Sequence, residues 1–412
     1  MLRLIDLPDT VFDTARHLAS SCKDPRNVQW ITEQASSRLQ AIKQTVHCYA
    51  PWSLPEFAAL RNNPAINATL LDKVALELLP SFVERLEERL AEAAHSSLSP
   101  EQQLLCERLR RRLPEARRNM ARLVKDIRII ATEAGRFADA MDFGFLLNRQ
   151  RKLMSVGFDA DTRQLHPACY DLLGTESRTA VFVAVAKGDI PQQSWFLLGR
   201  AHTLDRGRPV LLSWTGTLFE YLMPTLWMRS YSKTLLERSR VAAVRSQQAY
   251  AASKGLPWGI SESAHMQLDE AGNYQYHAFG LPHLALRKTE VKALVVSPYS
   301  TFLALATDPP GAVRNLQRME AMGWLGSYGF YEAADYGSAG HRFWQHPYQL
   351  VRCWMAHHQG MSLLALANFL KGNVVQQWFH SDRRVQATEL LLQEKPVAHI
   401  RRRDLPRAML AG

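Results

Sequence analysis

Through the first third of the chain, apolar residues recur at helical spacing. Between Leu71 and His95 they fall at Val74, Leu78, Phe82, Leu86 and Leu90, the four-residue steps of one helix face. Pro80 predicts a kink or a split there, because a proline removes one helical hydrogen bond and crowds the preceding turn. Ser99-Pro100-Glu101 reads as a helix start, with Ser99 as N-cap and Pro100 in the first turn. The helix it opens carries Leu104, Leu105, Leu109 and Leu113. A second is predicted through Met120, Leu123, Ile127, Ile130, Ala134 and Phe137. From about residue 141 the texture changes, and Gly, Trp, Tyr and Pro become frequent between helical stretches. Met141 to Phe158 predicts two short strands around a polar turn. Ala180 to Ala186 is apolar without interruption, which predicts a helix buried on both sides. Further helices are predicted at Thr217–Met228, Lys233–Lys254, Pro298–Leu305, Pro309–Met322, Gln349–Leu370 and Ser381–Gln393, separated by aromatic loops. Helices alternating with functional loops at one end are the layout of an α-helical toroid. An α/β barrel needs about eight regular strands, and the pattern does not supply them.

Composition narrows the classes. At 412 residues, with 47% apolar and 22% charged residues, the chain is an ordinary soluble polypeptide long enough for a large core. Its net charge of +11 is unusual. The Arg110–Arg112 and Arg401–Arg403 runs are dense, but no recognition motif accompanies them, so nucleic acid is not the expected partner. Cys22, Cys48, Cys106, Cys169 and Cys353 are scattered and odd in number, without CxxC or Cys/His spacing. They predict neither a disulfide framework nor a metal site, and they fit the reducing cytoplasm. No cofactor fingerprint is present: G-x-S-x-G, P-loop, HExxH and dinucleotide motifs are all missing, which weighs against a sugar-nucleotide glycosyltransferase. The N-terminus, with Asp6, Asp9 and Asp13, lacks the apolar core of a signal peptide. No run of eighteen apolar residues exists, so no membrane span is expected.

The candidate chemistry lies in two stretches, Gly255–Tyr276 and Gly326–Tyr336, which set Glu262 and Glu332 among Trp, Tyr, Phe and Gly. Sugar chemistry uses such an arrangement: two carboxyls serve as acid/base and nucleophile, and aromatic faces hold the pyranose rings. Pro257 and the glycines place Glu262 in a loop, where it is either a general acid/base with a raised pKa or a capping or salt-bridging carboxylate. Glu332 is either catalytic or a buried carboxylate bonded to a tyrosine. Asp335, three residues on, would share a helical face with it. Glu220 falls three residues after Thr217, so a capping box and a catalytic role stand equally open. Trp214 either stacks on a sugar or packs. His357 and His358 point in different directions on a helix, which favours hydroxyl recognition by one of them over a shared metal. Asp171 and Glu176 either cap and pair with Arg178 or bind sugar.

The segments MDFGFLLNRQRKLMSVGF, YDLLGTESR, VAVAKGDIP, LLSWTGTLFEYLMPTL, GLPWGISESA, YQYHAFGLP, VVSPYSTFLAL, YGFYEAADY and MAHHQGMSLLALANFL, in order from Met141 to about Gln393, carry a family resemblance. The run resembles the central glycoamylase-like domain of bacterial cyclic β-1,2-glucan synthases and, more distantly, the endo-β-1,2-glucanases. The resemblance implies an (α/α)6 toroid over 141–395, a helical lead-in over 1–140 and a basic tail over 396–412. It implies a retaining transglycosylation that cleaves β-1,2-glucan and rejoins it as a ring, with Glu262 as acid/base and Glu332 as nucleophile. Glu220 is the alternative member of the pair. Asp335, Asp171, Trp214, Trp258, Tyr331, His357 and His358 would line the cleft, with Glu176 beside them. It also implies glycosyltransferase and phosphorylase domains as partners, and association with the inner membrane through the full synthase. This sequence carries neither of those domains, so a split or truncated gene product, an excised piece and a stand-alone domain are all open. An endo-β-1,2-glucanase and an inactive glucan-binding fragment are the alternative functions. The loop Ser338–Tyr348 departs from the resemblance.

Overall fold

The computed structural model describes residues 25–61, 63, 66, 74–93, 98–287, 294–337 and 347–396. The acidic N-terminus, residues 338–346 of the Ser338–Tyr348 loop and residues 397–412 of the tail lie outside the described residues. The chain divides into two compact units, Met1–Met141 and Asp142–Gly412.

The first unit is helical. Helices α1 (Pro25–Tyr49), α2 (Ala58–Arg61), α3 (Leu79–Ala93) and α4 (Pro100–Ala140) surround Trp52, Phe57, Leu86, Leu90, Leu109 and Leu113. Pro80 does not split a helix: it occupies the first turn of α3, where its missing N–H costs nothing, and a short 3₁₀ segment precedes it. Phe82, Leu86 and Leu90 are buried as the pattern predicts, whereas Leu78 lies before the helix and is exposed. Ser99 caps α4 in a reciprocal box with Gln102, and Pro100 follows it. The two helices predicted after Ser99 are one, running through Pro114. Its buried side, Cys106, Leu109, Leu113, Ala116 and Met120, packs against α3 and α1, and this packing outweighs the local cost of the proline. Beyond Val124 the pattern misleads, because Ile127, Ile130 and Phe137 are exposed.

The second unit is mainly α, with small antiparallel ladders. Strands β1 (Leu147–Asn148) and β2 (Leu153–Met154) form the predicted hairpin, its turn held by Asn148 accepting from the Gln150 and Arg151 amides. Strands β3 (Phe158–Asp159) and β4 (Gln164–Leu165) make a second hairpin. Helix α5 (Arg178–Lys187) is the uninterrupted apolar run, burying Val181, Phe182 and Ala184. Then come α6 (Gln193–Phe196), the hairpin of β5 (His202–Asp205) and β6 (Arg208–Leu211), α7 (Leu218–Leu222) and α8 (Leu235–Ser253). A fourth hairpin pairs β7 (Ser263–Leu268) with β8 (Tyr274–His277). Strand β9 (Val295–Val296) leads into α9 (Pro298–Leu303) and α10 (Pro309–Ala321). After the β10 (Leu325–Gly326) and β11 (Gly329–Phe330) hairpin, β12 (Ala333–Asp335) lies between β9 and β13 (Gln349–Val351). Helices α11 (Ala356–Leu370), α12 (Val374–Phe379) and α13 (Arg383–Thr388) close the unit. The helix predicted from Gln349 therefore starts at Ala356, because Gln349–Val351 pairs with β12 instead.

Short helices buried on most sides alternate with longer or more exposed ones. Helix α7 packs on α8 and α9, α9 on α10 and α11, α11 on α12, and α5 on α13. Helix α9 buries five of its six residues, whereas α10 is amphipathic and keeps Arg314, Arg318 and Glu320 off its buried face. This in-and-out alternation is the layering of an α/α toroid. The loops and hairpins that precede α5, α7, α9 and α11, with the first turns of the last three, carry the polar residues that meet in the site.

Candidate functional site

Glu262 leaves the core at the end of a strained loop. Gly259 sits at φ +130°, and a Cβ there would come within 2.8 Å of Ser300 Oγ and 3.0 Å of Ser297 O, so only glycine lets the loop lie on α9. Trp258, just before it, is buried, its backbone clamped at both ends by the Asn315 side chain. It is core and offers no open face to a ligand. Ser261 is fully buried, accepts from the Phe219 amide and lies 2.9 Å from the Tyr299 hydroxyl. Tyr299 also donates to the Glu262 carbonyl at 3.0 Å. The Glu262 carboxyl is thus aimed from a rigid backbone at the start of β7.

Glu332 and Asp335 do not share a helix face. They bracket strand β12, and both reach across to β7: the Ala264 amide donates to Glu332 at 3.3 Å and the Met266 amide to Asp335 at 3.0 Å. Both are 2% exposed. Glu332 meets His358 of α11, whose Nδ1 lies 2.8 and 3.0 Å from its two oxygens. His358 is fully buried and stacks flat on Tyr299, with ring centroids 3.7 Å apart and planes at 10°. Its other nitrogen, Nε2, lies 3.2 Å from the Tyr276 hydroxyl, and that hydroxyl is 2.9 Å from Glu262 Oε1. Glu262, Tyr276, His358 and Glu332 therefore form one hydrogen-bonded chain, and the carboxyls do not touch. Burial raises the Glu262 pKa above its ordinary value, while the Tyr276 hydrogen bond works in the opposite direction.

Glu220 makes the capping box of α7 with Thr217. Its carboxylate also accepts from Ser213 Oγ at 2.8 Å and from the Thr215 and Thr217 amides at 3.0 and 2.9 Å. Such a cap is worth about 1 kcal/mol, and it leaves the 4% exposed side chain saturated with donors. Glu176 differs: its Oε2 is enclosed with no hydrogen-bond partner. Burial, then the nearby charges of Glu220 and Glu262, push its pKa up from 4.5 to about 7, and Arg178 offsets little of this. Asp171 pairs across 3.6 Å with Arg151 and not with Arg178. Trp214 is half exposed. Tyr331 packs on Trp354 and lies beneath the Arg352 guanidinium, and the exposed His357 sits against Tyr276. A cavity of about 360 Å³ is lined by Tyr299, Phe330, Tyr331, Glu332, His358 and their apolar neighbours. Motif reading missed Tyr276 and Tyr299. Both lie inside the quoted segments, but a lone tyrosine gives no sign of a distant partner.

The raised Glu176 pKa sets the sign of a pH effect. The folded protein holds the proton more tightly than the unfolded chain does. This stabilisation is complete below about pH 4.5 and is lost as pH rises through about 7, a difference of about 3 kcal/mol. Glu176→Gln is expected to flatten that loss. Urea midpoints at about pH 5 and about pH 8 would check it, and an unchanged slope would show that Glu176 ionises as freely as an exposed carboxyl.

The fold and site together define an α/α toroidal protein whose loops gather carboxyls, tyrosines and a histidine at one place. Residues 172–383 match the Glycoamylase family model ("Putative glucoamylase"), and the chain belongs to that family. It is 39% identical over 278 residues to the cyclic β-(1,2)-glucan synthase NdvB of Rhizobium meliloti (strain 1021), a match covering 68% of this chain and 10% of that protein. The chain thus spans about a tenth of that relative's length. Among solved structures it is similar to a β-1,2-glucanase from Parabacteroides distasonis (12% identity, TM-score 0.43, 76% of this chain and 44% of that one). It is also similar to an endo-β-1,2-glucanase from Talaromyces funiculosus bound to sophorose (14% identity, TM-score 0.46, 78% of this chain and 66% of that one). Neither structural likeness bears on the site.

Proposed function

We propose that this chain acts on β-1,2-glucan by retaining transglycosylation, with Glu262 as acid/base and Glu332 as nucleophile. The observation that carries the reading is the Glu262–Tyr276–His358–Glu332 chain. A tyrosine hydroxyl has one hydrogen, so Tyr276 donates to one neighbour and accepts from the other. The His358 Nδ1–H donates to Glu332 in either case. If His358 is doubly protonated, its Nε2–H donates to Tyr276, which donates to an ionised Glu262. If the protons move one place along, Glu262 is the acid, donating to Tyr276, which donates to a neutral His358 Nε2. The two states contain the same number of protons, so the relay can load Glu262 without exchange with water. Burial of Glu262 favours the loaded state, which is the form that protonates a leaving glycosidic oxygen.

Attack by Glu332 then requires the His358 ring to leave the carboxylate as glucan enters the cavity beside them. A retaining pair works across about 5–5.5 Å. Bond cleavage is thereby coupled to displacement of His358 and Tyr276 from between the two carboxyls. Trp214, Tyr331, Asp335, His357 and Asp171 would contribute ring stacking and hydroxyl contacts. A second pairing is favoured by the partnerless oxygen of Glu176, which keeps a proton near neutral pH beside Glu262 and could serve as the acid. In the cell we propose that the chain works with glycosyltransferase and phosphorylase domains at the cytoplasmic side of a membrane. Among the described residues no helix is long and apolar enough to cross one.

Incubation of the purified chain with linear β-1,2-glucan tests the reaction. Products lighter by one water and lacking a reducing end are expected. Reducing oligosaccharides would replace cyclisation by hydrolysis, and an unchanged glucan with a folded protein would overturn the enzymatic reading.

A further inference from the structure

Away from the carboxyls, a cavity of about 20 Å³ is lined by Arg178, Arg229 and Arg240, by hydroxyl residues including Ser230, Tyr231 and Thr234, and by apolar side chains. No acidic residue is among its lining. Arg229 and Ser230 are exposed and form its solvent side, while Arg178 and Arg240 are 5% and 9% exposed. Arg229 has a carboxylate partner, Glu389, at 3.3 Å. The hydrogen bonds of the two buried arginines go only to neutral oxygens, although the charges of Glu176 and Glu220 act on Arg178 and that of Glu237 on Arg240 without lining the cavity. Arg178 donates to the carbonyls of Thr175, Glu220 and Tyr221, and Arg240 to the carbonyl of Ala306 and the hydroxyl of Thr307. Arg240 Nε is enclosed with no hydrogen-bond partner. Buried cations are costly unless an anion or a full set of acceptors compensates them. Burial duly lowers the affinity of both for their protons, that of Arg178 to a pKa of about 10.

We propose that this cavity is a binding site for one monatomic anion, chloride, held between Arg178 and Arg240 and entered past Arg229. The volume suits a single water-sized body, and the lining offers cationic and hydroxyl donors without a competing carboxylate. The site does not depend on the glucan reading. It has a structural consequence, because Arg178 ties the loop carrying Glu176 to the carbonyls of Glu220 and Tyr221 on α7. An anion on Arg178 would brace that joint from behind.

The test is diffraction from crystals of the chain soaked in bromide, paired with thermal unfolding in chloride against gluconate at constant ionic strength. An anomalous peak in the cavity between Arg178 and Arg240 is expected, with a midpoint that rises saturably with chloride. Arg240→Gln should remove the saturable part. An anomalous map empty at the cavity overturns the proposal whatever the midpoint does, and so does a midpoint equally chloride-dependent in a folded Arg240→Gln protein. Should that variant fail to fold, the bromide map alone decides.

Discussion

Glu262→Gln is expected to lower turnover of linear β-1,2-glucan by about 10²- to 10⁴-fold, the range general acid/base groups supply, while glucan binding persists. The amide keeps the shape and still pairs with Tyr276, but it can neither give nor take the proton that the relay delivers. Because the loop backbone is held by Gly259, Ser261 and Tyr299, the substitution should leave the unfolding midpoint nearly unchanged. Kinetics with a good leaving group separate the roles: an acid variant regains its first step when the aglycone departs unaided, whereas a variant that merely disturbs packing does not. Full activity in Glu262→Gln would move the acid role to Glu176, and Glu176→Gln would then show the collapse.

For Glu332→Ala, turnover is expected to fall at least as far, with azide restoring it through a glycosyl azide. A small anion can occupy the space of the missing carboxylate and attack the anomeric carbon. The substitution also leaves His358 Nδ1 and the Ala264 amide without their acceptor, so a stability loss of about 1–3 kcal/mol is expected beside the kinetic effect. This double signature matters because Glu332 is buried and paired. If azide forms no adduct while the midpoint falls, Glu332 positions His358 and is not the nucleophile. In that case His358→Gln should reproduce the kinetic loss and shift the pH profile of what remains.

Much of the architecture was legible because it rests on local physics. The Ser99 and Thr217 caps, the apolar run of α5, the Asn148 turn and the boundaries of α8 and α10 depend on neighbours within a few residues, where propensity and periodicity act. The candidate carboxyls were legible as well, since Glu262 and Glu332 stand in glycine- and aromatic-rich company that surface glutamates seldom keep. The misread elements were decided by partners far along the chain. Glu332 and Asp335 looked like helix neighbours, yet β9 and β13 capture the backbone between them as a strand. Gln349–Val351 was drawn out of the α11 helix by the same ladder. The exposed stretch of α4 beyond Val124 shows the converse, a periodic pattern with nothing described to cover it.

What this amino-acid sequence determined by itself was therefore the succession of helices, their caps, and a short list of acids in aromatic loops. Only the tertiary structure decided what those acids do to one another. It spent Glu220 on a helix cap, left Glu176 with an enclosed and partnerless oxygen, and joined Glu262 to Glu332 through Tyr276 and His358. The physical reason is that a carboxyl's chemistry depends on its burial and on the donors around it. Those donors come from β7, β8 and α11, whose approach is set by the packing of the whole unit.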